Sequence, residues 1–164
     1  DMNGIMDIIE ENMDGIKSIC HFYASMSSFL SEEDVFQEVV YNLLKSFKKY
    51  ERRKDCKIST WMYRVAINVS ISLMRKENRV PYASLDEVPI ENEFVDSGFD
   101  KEEVEDLNSV IKRLEVEEQT LLFLYLEDKS YKEMSEILGI SVSNVGTRLQ
   151  RVKSKLKKMS NENL

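Results

Sequence analysis

At 164 residues the chain could form one domain or two small ones, and its 42% hydrophobic content is ordinary for a folded protein. No apolar run approaches the ~20 residues needed to cross a bilayer, so no membrane insertion is expected. The first eleven residues carry four acids and no base, unlike a secretory signal, and a cytoplasmic protein is the simplest expectation. The net charge of −7 argues at first against a nucleic-acid partner, but its distribution points the other way. Residues 31–80 carry a net +4 and residues 129–164 a net +5, whereas residues 81–108 carry −9. Local positive potential, rather than the overall balance, governs contact with phosphates.

Apolar spacing predicts an all-α fold of two small helical domains, residues 1–80 and 102–164, joined by an acidic linker over 81–101 that contains both prolines, Pro81 and Pro89. In the first domain Ile9, Met13, Ile16, Cys20 and Tyr23 recur at steps of four and three, as on one face of a single helix. A second helix is expected from Ser31, a good N-cap, with Glu32, Glu33 and Asp34 complementing the positive end of its dipole. Phe36, Val40, Leu43 and Phe47 are its expected inward residues. A third starts near Ser59 or Thr60 and should bury Met62, Val65, Ala66, Val69 and Leu73. In the second domain Val104, Leu107, Ile111 and Leu114 make one stripe and Leu121 to Leu126 the core of the next helix. A helix over 129–138, a turn at Gly139 and Ile140, and a long helix from Val142 to about Lys158 complete it. The last helix carries the stripe Val145, Leu149, Val152, Leu156 and Met159.

The strongest signal is the segment 130–145. Met134, Ile137 and Leu138 anchor one helix, Gly139 permits the left-handed conformation at its end, and Ser141 can cap the next. This is the layout of a helix-turn-helix, with Ser143, Asn144, Thr147, Arg148 and Arg151 on exposed sides of the second helix and Lys155 further along. Arg and Asn can make paired hydrogen bonds to guanine and adenine edges. A plain helical hairpin with a solvated basic face is the bland alternative. The second signal is the basic run Lys48, Lys49, Arg52, Arg53, Lys54 and Lys57, feeding a helix that opens with Trp61 and Tyr63 and continues through Arg64 and Asn68. Flat side chains beside cations can stack on unpaired bases at ~1–3 kcal/mol each, although the same aromatics could equally be core residues.

Taken together, Asp34-Val-Phe-Gln-Glu38, Thr60-Trp-Met-Tyr-Arg-Val-Ala-Ile-Asn68 and the final helix-turn-helix resemble the sigma-70 family, specifically its extracytoplasmic-function (ECF) sigma factors. The resemblance covers roughly residues 5–78 and 102–158 and implies region two followed by region four of that family. It implies an alternative sigma factor that binds core RNA polymerase and directs it to promoter DNA, with an anti-sigma factor as a further partner. By the resemblance, Asp34, Gln37, Glu38, Tyr41, Asn42 and Lys45 meet the clamp helices of the polymerase largest subunit. Lys49, Arg52, Arg53, Lys54 and Lys57 belong to the loop that captures a flipped minus-ten base, and Trp61, Tyr63, Arg64 and Asn68 to the adjoining recognition helix. Ser143, Asn144, Thr147, Arg148, Arg151 and Lys155 belong to the minus-thirty-five reading helix. Gly146 stands where many relatives carry Arg or Lys, and Glu115 where a Pro often opens a helix.

No enzyme is expected: there is no Gly-rich phosphate loop and no recurring Glu-x-x-His pattern, and the one histidine, His21, reads as a partly buried helix residue. No metal or other cofactor is expected, since Cys20 and Cys56 fit no ligand spacing. Basic neighbours of Cys56 could favour its thiolate. Two other readings remain open at this point: a conventional helix-turn-helix regulator with an N-terminal sensing or interaction domain, and a pure protein-interaction module. A solvated spacer is the bland reading of the linker, while its acids Asp86, Glu87, Glu91 and Glu93 could compete with DNA for the basic blocks.

Overall fold

The structure, a computed structural model, describes residues 2–78 and 101–162. The acidic linker, and with it any competition between its carboxylates and DNA, lies outside the described residues. Those that are described form helices joined by short turns, with no strand among them: α1 (Met2–Glu11), α2 (Met13–Met26), α3 (Glu32–Arg53), α4 (Ile58–Asn78), α5 (Lys101–Lys112), α6 (Val116–Leu126), α7 (Tyr131–Leu138) and α8 (Val142–Glu162). The all-α expectation holds. No helix among the described residues is long and apolar enough to cross a membrane.

The first expected helix is two. Asn12 leaves helical geometry at φ −108° and ψ 15°, and its side-chain amide donates to the Ile8 carbonyl at 2.9 Å. The same carbonyl accepts from the Asn12 backbone amide at 3.2 Å, so Asn12 closes the end of α1 twice, while its own carbonyl accepts from the Ile16 amide to start α2. The apolar stripe survives the break, with Ile5 and Ile9 buried on one side and Ile16, Ile19, Cys20 and Tyr23 on the other.

Ser31 caps α3 as expected, its hydroxyl accepting from the Asp34 amide at 3.1 Å. Leu43 and Phe47 are buried as expected, but Val35 and Val39 take the inward places expected of Phe36 and Val40. Val35, Val39, Leu43, Phe47 and Tyr50 are buried, whereas Phe36 and Val40 are half-buried at the edge of the stripe. Similarly, α4 buries Met62, Ala66, Ile67, Ser70 and Met74, and holds Val65, Val69 and Leu73 half-buried. Both helices pack against α2 and each other, and a helix touching two neighbours buries more than one stripe.

In the C-terminal half, Val110, Ile111 and Leu114 are buried but Leu107 is 58% exposed, so the expected stripe of α5 fails at that residue. The side chain of Val104 lies outside the described residues. Leu121 to Leu124 are all buried, a run possible only for a helix covered on several sides; Tyr125 and Leu126, at its open end, are exposed. His21 is also exposed, not partly buried, and its Nδ1 lies 3.0 Å from a Glu32 carboxylate oxygen.

Candidate nucleic-acid interface

The helix-turn-helix forms as the local sequence dictates. Ser130 caps α7, accepting from the Glu133 amide at 3.1 Å, and Gly139 ends it in the left-handed region at φ +70°. The Ser141 hydroxyl then accepts from the Asn144 amide at 3.0 Å at the start of α8. Met134, Ile137 and Val145 are buried in one core cluster that holds the two helices together, while Val152 of α8 is buried with Ile111, Leu114 and Leu122 of α5 and α6. Ser143, Thr147, Arg148 and Arg151 are left exposed and Asn144 half-exposed. The Arg148 Nε donates to the Asn144 side-chain oxygen at 3.0 Å, which holds both side chains in a defined geometry one turn apart.

Lys155 is not a free cation. Its ammonium lies 2.9 Å from a Glu118 carboxylate oxygen, and the same oxygen accepts from the Glu115 backbone amide at 3.0 Å. Burial alone would raise the Glu118 pKa, but the Lys155 and Glu115 bonds together hold it below the usual range. Glu115, where a Pro often stands, therefore opens α6 through a reciprocal cap with Glu118.

In the N-terminal half, Lys49, Arg52, Arg53, Lys54 and Lys57 are all exposed around the turn between α3 and α4. The turn is braced from below: Lys54 adopts φ +40° as the C-cap of α3, and the Tyr50 hydroxyl donates to the Cys56 carbonyl at 2.7 Å. Trp61 stacks on Tyr50 with ring centroids 4.8 Å apart and lies near Phe47, so this aromatic is tied into the core and only half-exposed. Tyr63 rests over Gly15 of α2 and beneath the Lys129 ammonium, 4.5 Å from its ring centroid. Asn68 is exposed. Cys56 does not fit the thiolate expectation, since burial raises its pKa by more than the nearby Arg64 lowers it. Burial also pushes the Cys20 thiol up to about 12.

Asp34, Gln37, Glu38, Tyr41 and Lys45 are exposed on the outer side of α3, with Asn42 half-exposed beside them. They form a polar strip opposite Val35, Val39 and Leu43.

One arrangement had no signal in the sequence: α4 and the helix-turn-helix face each other. Arg64 Nε donates to the backbone carbonyl of Glu136 in α7 at 2.7 Å, Arg75 pairs with Glu117 at 2.5 Å, and Phe22 stacks on Phe123 with centroids 4.8 Å apart. Thr120 donates its hydroxyl proton to the Val116 carbonyl, so the buried Tyr23 hydroxyl is the donor in its hydrogen bond to Thr120. A cleft of about 320 Å³ remains along this junction, lined by Arg64, Asn68, Ile71, Glu117, Leu138 and Arg148, among others.

Comparison with known proteins accounts for both halves. Residues 8–80 match the family described as Sigma-70 region 2, and residues 105–156 match Sigma-70, region 4. The chain is 28% identical to the ECF RNA polymerase sigma factor SigW of Bacillus subtilis, over 96% of its own length and 89% of that protein's. It is 30% identical to the RNA polymerase sigma factor SigZ of the same organism, over 84% and 82% of the two chains. Among solved structures it is similar to the sigma factor RpoE of Bartonella quintana in complex with the anti-sigma factor NepR, at a TM-score of 0.66 and 20% identity, covering 94% and 97% of the two chains. It is also similar to CnrH in complex with the cytosolic domain of CnrY, at a TM-score of 0.67 and 15% identity over 100% and 92%. At these identities the two structures establish a shared fold. A conventional regulator is not favoured, because its N-terminal half would have no reason to match region 2.

Proposed function

The chain belongs to the sigma-70 family of RNA polymerase sigma factors, in its extracytoplasmic-function group, and from that premise we propose how its surfaces divide the work. As an alternative sigma factor it binds core RNA polymerase and directs promoter-specific initiation; it is not an enzyme. Residues 1–80 act as region two, 81–101 as a linker, and 102–164 as region four. The outer strip of α3, with Asp34, Gln37, Glu38, Tyr41, Asn42 and Lys45, receives the clamp helices of the polymerase largest subunit. The cations from Lys49 to Lys57, with Trp61, Tyr63, Arg64 and Asn68, engage the minus-ten element. Ser143, Asn144, Thr147, Arg148 and Arg151 enter the minus-thirty-five major groove.

The observation that carries this reading is the capped helix-turn-helix whose second helix leaves Ser143, Thr147, Arg148 and Arg151 exposed while Val145, Leu149 and Val152 of its apolar stripe are buried. An anti-sigma factor is a further proposed partner; the solved relatives of the same fold were captured with such proteins or with a partner domain. We place the chain in the cytoplasm, where its polymerase would be. Run-off transcription with purified core polymerase on genomic DNA tests the function directly. Discrete transcripts that require the chain are expected, and their absence, with core enzyme active on a control factor, would overturn it.

A further inference from the structure

We propose that Asn144 is a positioning residue for Arg148, so that the pair reads one guanine in the minus-thirty-five groove rather than an adenine and a guanine separately. The inference rests on the assignment of α8 to that element, and it names the base that the paired side chains meet.

Helix geometry sets the problem. At about 100° per residue, the direction opposite Val145, Leu149 and Val152 falls close to Thr147, with Ser143 and Arg151 on either side of it. Arg148 starts roughly 110° round from that direction, on the flank of the helix, and Asn144 lies between the two. The Arg148 side chain is exposed, and among the described residues no carboxylate lies within ion-pair distance of it. A loose cation on the flank of a reading helix meets phosphate, which positions the helix without reading sequence.

The bond to Asn144 removes that looseness. Arg148 Nε donates to the Asn144 side-chain oxygen at 3.0 Å, across the four-residue spacing at which side chains on one helix meet. It draws the guanidinium back over the first turn of α8, the part of a recognition helix that reaches base edges. The acceptor is itself anchored, because the Asn144 backbone amide donates to the Ser141 hydroxyl at 3.0 Å and so stands on a capped turn.

Hydrogen-bonding capacity then selects the base. With Nε engaged, the guanidinium keeps Nη1 and Nη2 as a planar pair of donors. Those match N7 and O6 of guanine, whereas adenine offers a second donor where guanine has O6. Asn144 meanwhile loses its usual complement. To read adenine, an amide oxygen accepts from the base amino group while the amide nitrogen donates to N7. Here that oxygen already faces a cation, and an adenine amino group would bring its own positive edge against the guanidinium. Thr147, at the centre of the face, donates its hydroxyl proton to the Ser143 carbonyl at 3.1 Å, so it adds no competing donor to a purine edge.

The full chain bound to core polymerase would select from duplex DNA randomised across the minus-thirty-five element, beside Arg148→Ala, Arg151→Ala, Asn144→Leu and Asn144→Asp. Wild type should enrich guanine at one position. Arg148→Ala and Asn144→Leu should both lose that preference, roughly tenfold, at that position and no other. Asn144→Asp keeps the accepting oxygen, so its charge should weaken every duplex while the guanine preference stays. Placing 7-deazaguanine there removes the N7 acceptor, which should weaken wild type several-fold and leave Asn144→Leu unmoved. Losses from Asn144→Leu and Arg148→Ala should not add, whereas those from Asn144→Leu and Arg151→Ala should. Helical content should be unchanged throughout, because the Ser141 cap uses only the Asn144 backbone amide. Three results overturn the proposal: Asn144→Leu keeps the guanine and loses an adenine elsewhere, Asn144→Asp fails as Asn144→Leu does, or Arg148→Ala weakens all duplexes alike. A wild-type complex that enriches no sequence in this element removes the minus-thirty-five assignment itself, whereas enrichment indifferent to Asn144 removes only the positioning role.

Discussion

Tyr63 shows how a single position is fixed from both sides. A Cβ built on Gly15 would fall 2.5 Å from its hydroxyl oxygen, and the Lys129 ammonium sits over the ring. Gly15→Ala in an ordinary helix would gain ~1 kcal/mol from propensity. Here overpacking at ~1–3 kcal/mol should cancel or reverse that gain. Urea denaturation of Gly15→Ala, Tyr63→Phe and the pair would measure it, with the double variant recovering stability lost in the first. Equal, additive effects would mean that Tyr63 simply swings aside. The caps at Ser31, Ser130 and Ser141 were legible in the sequence because each acts within three residues. Arg64 was legible only as a cation near DNA-type aromatics; its actual acceptor is 72 residues away, a pairing that no local pattern encodes.

Among the helices, α8 carries the sharpest prediction, because its residues separate into specifying and positioning roles. Arg148→Ala should cost ~1–3 kcal/mol on a promoter duplex and relax selectivity at one or two base pairs. Lys157→Ala should weaken all duplexes alike and flatten the salt dependence by ~1. Equal losses on promoter and scrambled duplexes for both would reduce α8 to an electrostatic clamp. Lys155 is a poorer probe of phosphate contact, since its bond to Glu118 joins α8 to α6. That bond has its own signature. The folded Glu118 carboxyl sits below its ordinary value, so its stabilising effect is present above the unfolded pKa and disappears as pH falls through the folded one. Glu118→Gln should therefore melt lower than wild type at neutral pH, with the gap closing in acid; a gap independent of pH would deny the ion pair. Apolar periodicity gave the existence of every helix except the split at Asn12, which depends on one side-chain amide. In α3 it placed Leu43 and Phe47 correctly but took Phe36 and Val40 in place of Val35 and Val39, because Phe36 and Val40 also touch the core from its edge, widening the apolar face.

For the whole chain, polymerase capture and promoter reading are assigned to different faces and should be separable. Replacing Gln37 and Glu38 together with Ala should weaken association with core enzyme by at least several-fold. Helical content and thermal midpoint should stay unchanged, because both residues are exposed. Pull-down with core polymerase beside circular dichroism would decide it, and normal capture by the double variant would move the polymerase surface elsewhere. The order of the two domains was readable from three motifs in sequence. Their docking was not, since it depends on Phe22, Tyr23 and Arg75, residues that read equally well as ordinary core or surface positions.

The brace beneath the α3–α4 turn has a kinetic consequence. With Tyr50 stacked on Trp61 and bonded to the Cys56 carbonyl, the basic segment is held in shape before any ligand arrives. Fixing a residue's backbone costs about 1–2 kcal/mol, and here that ordering accompanies folding instead of being deferred to binding. A strand reaching this turn meets a preformed receptor, so its capture should be limited by diffusion and unpairing rather than by the folding of a loop around it.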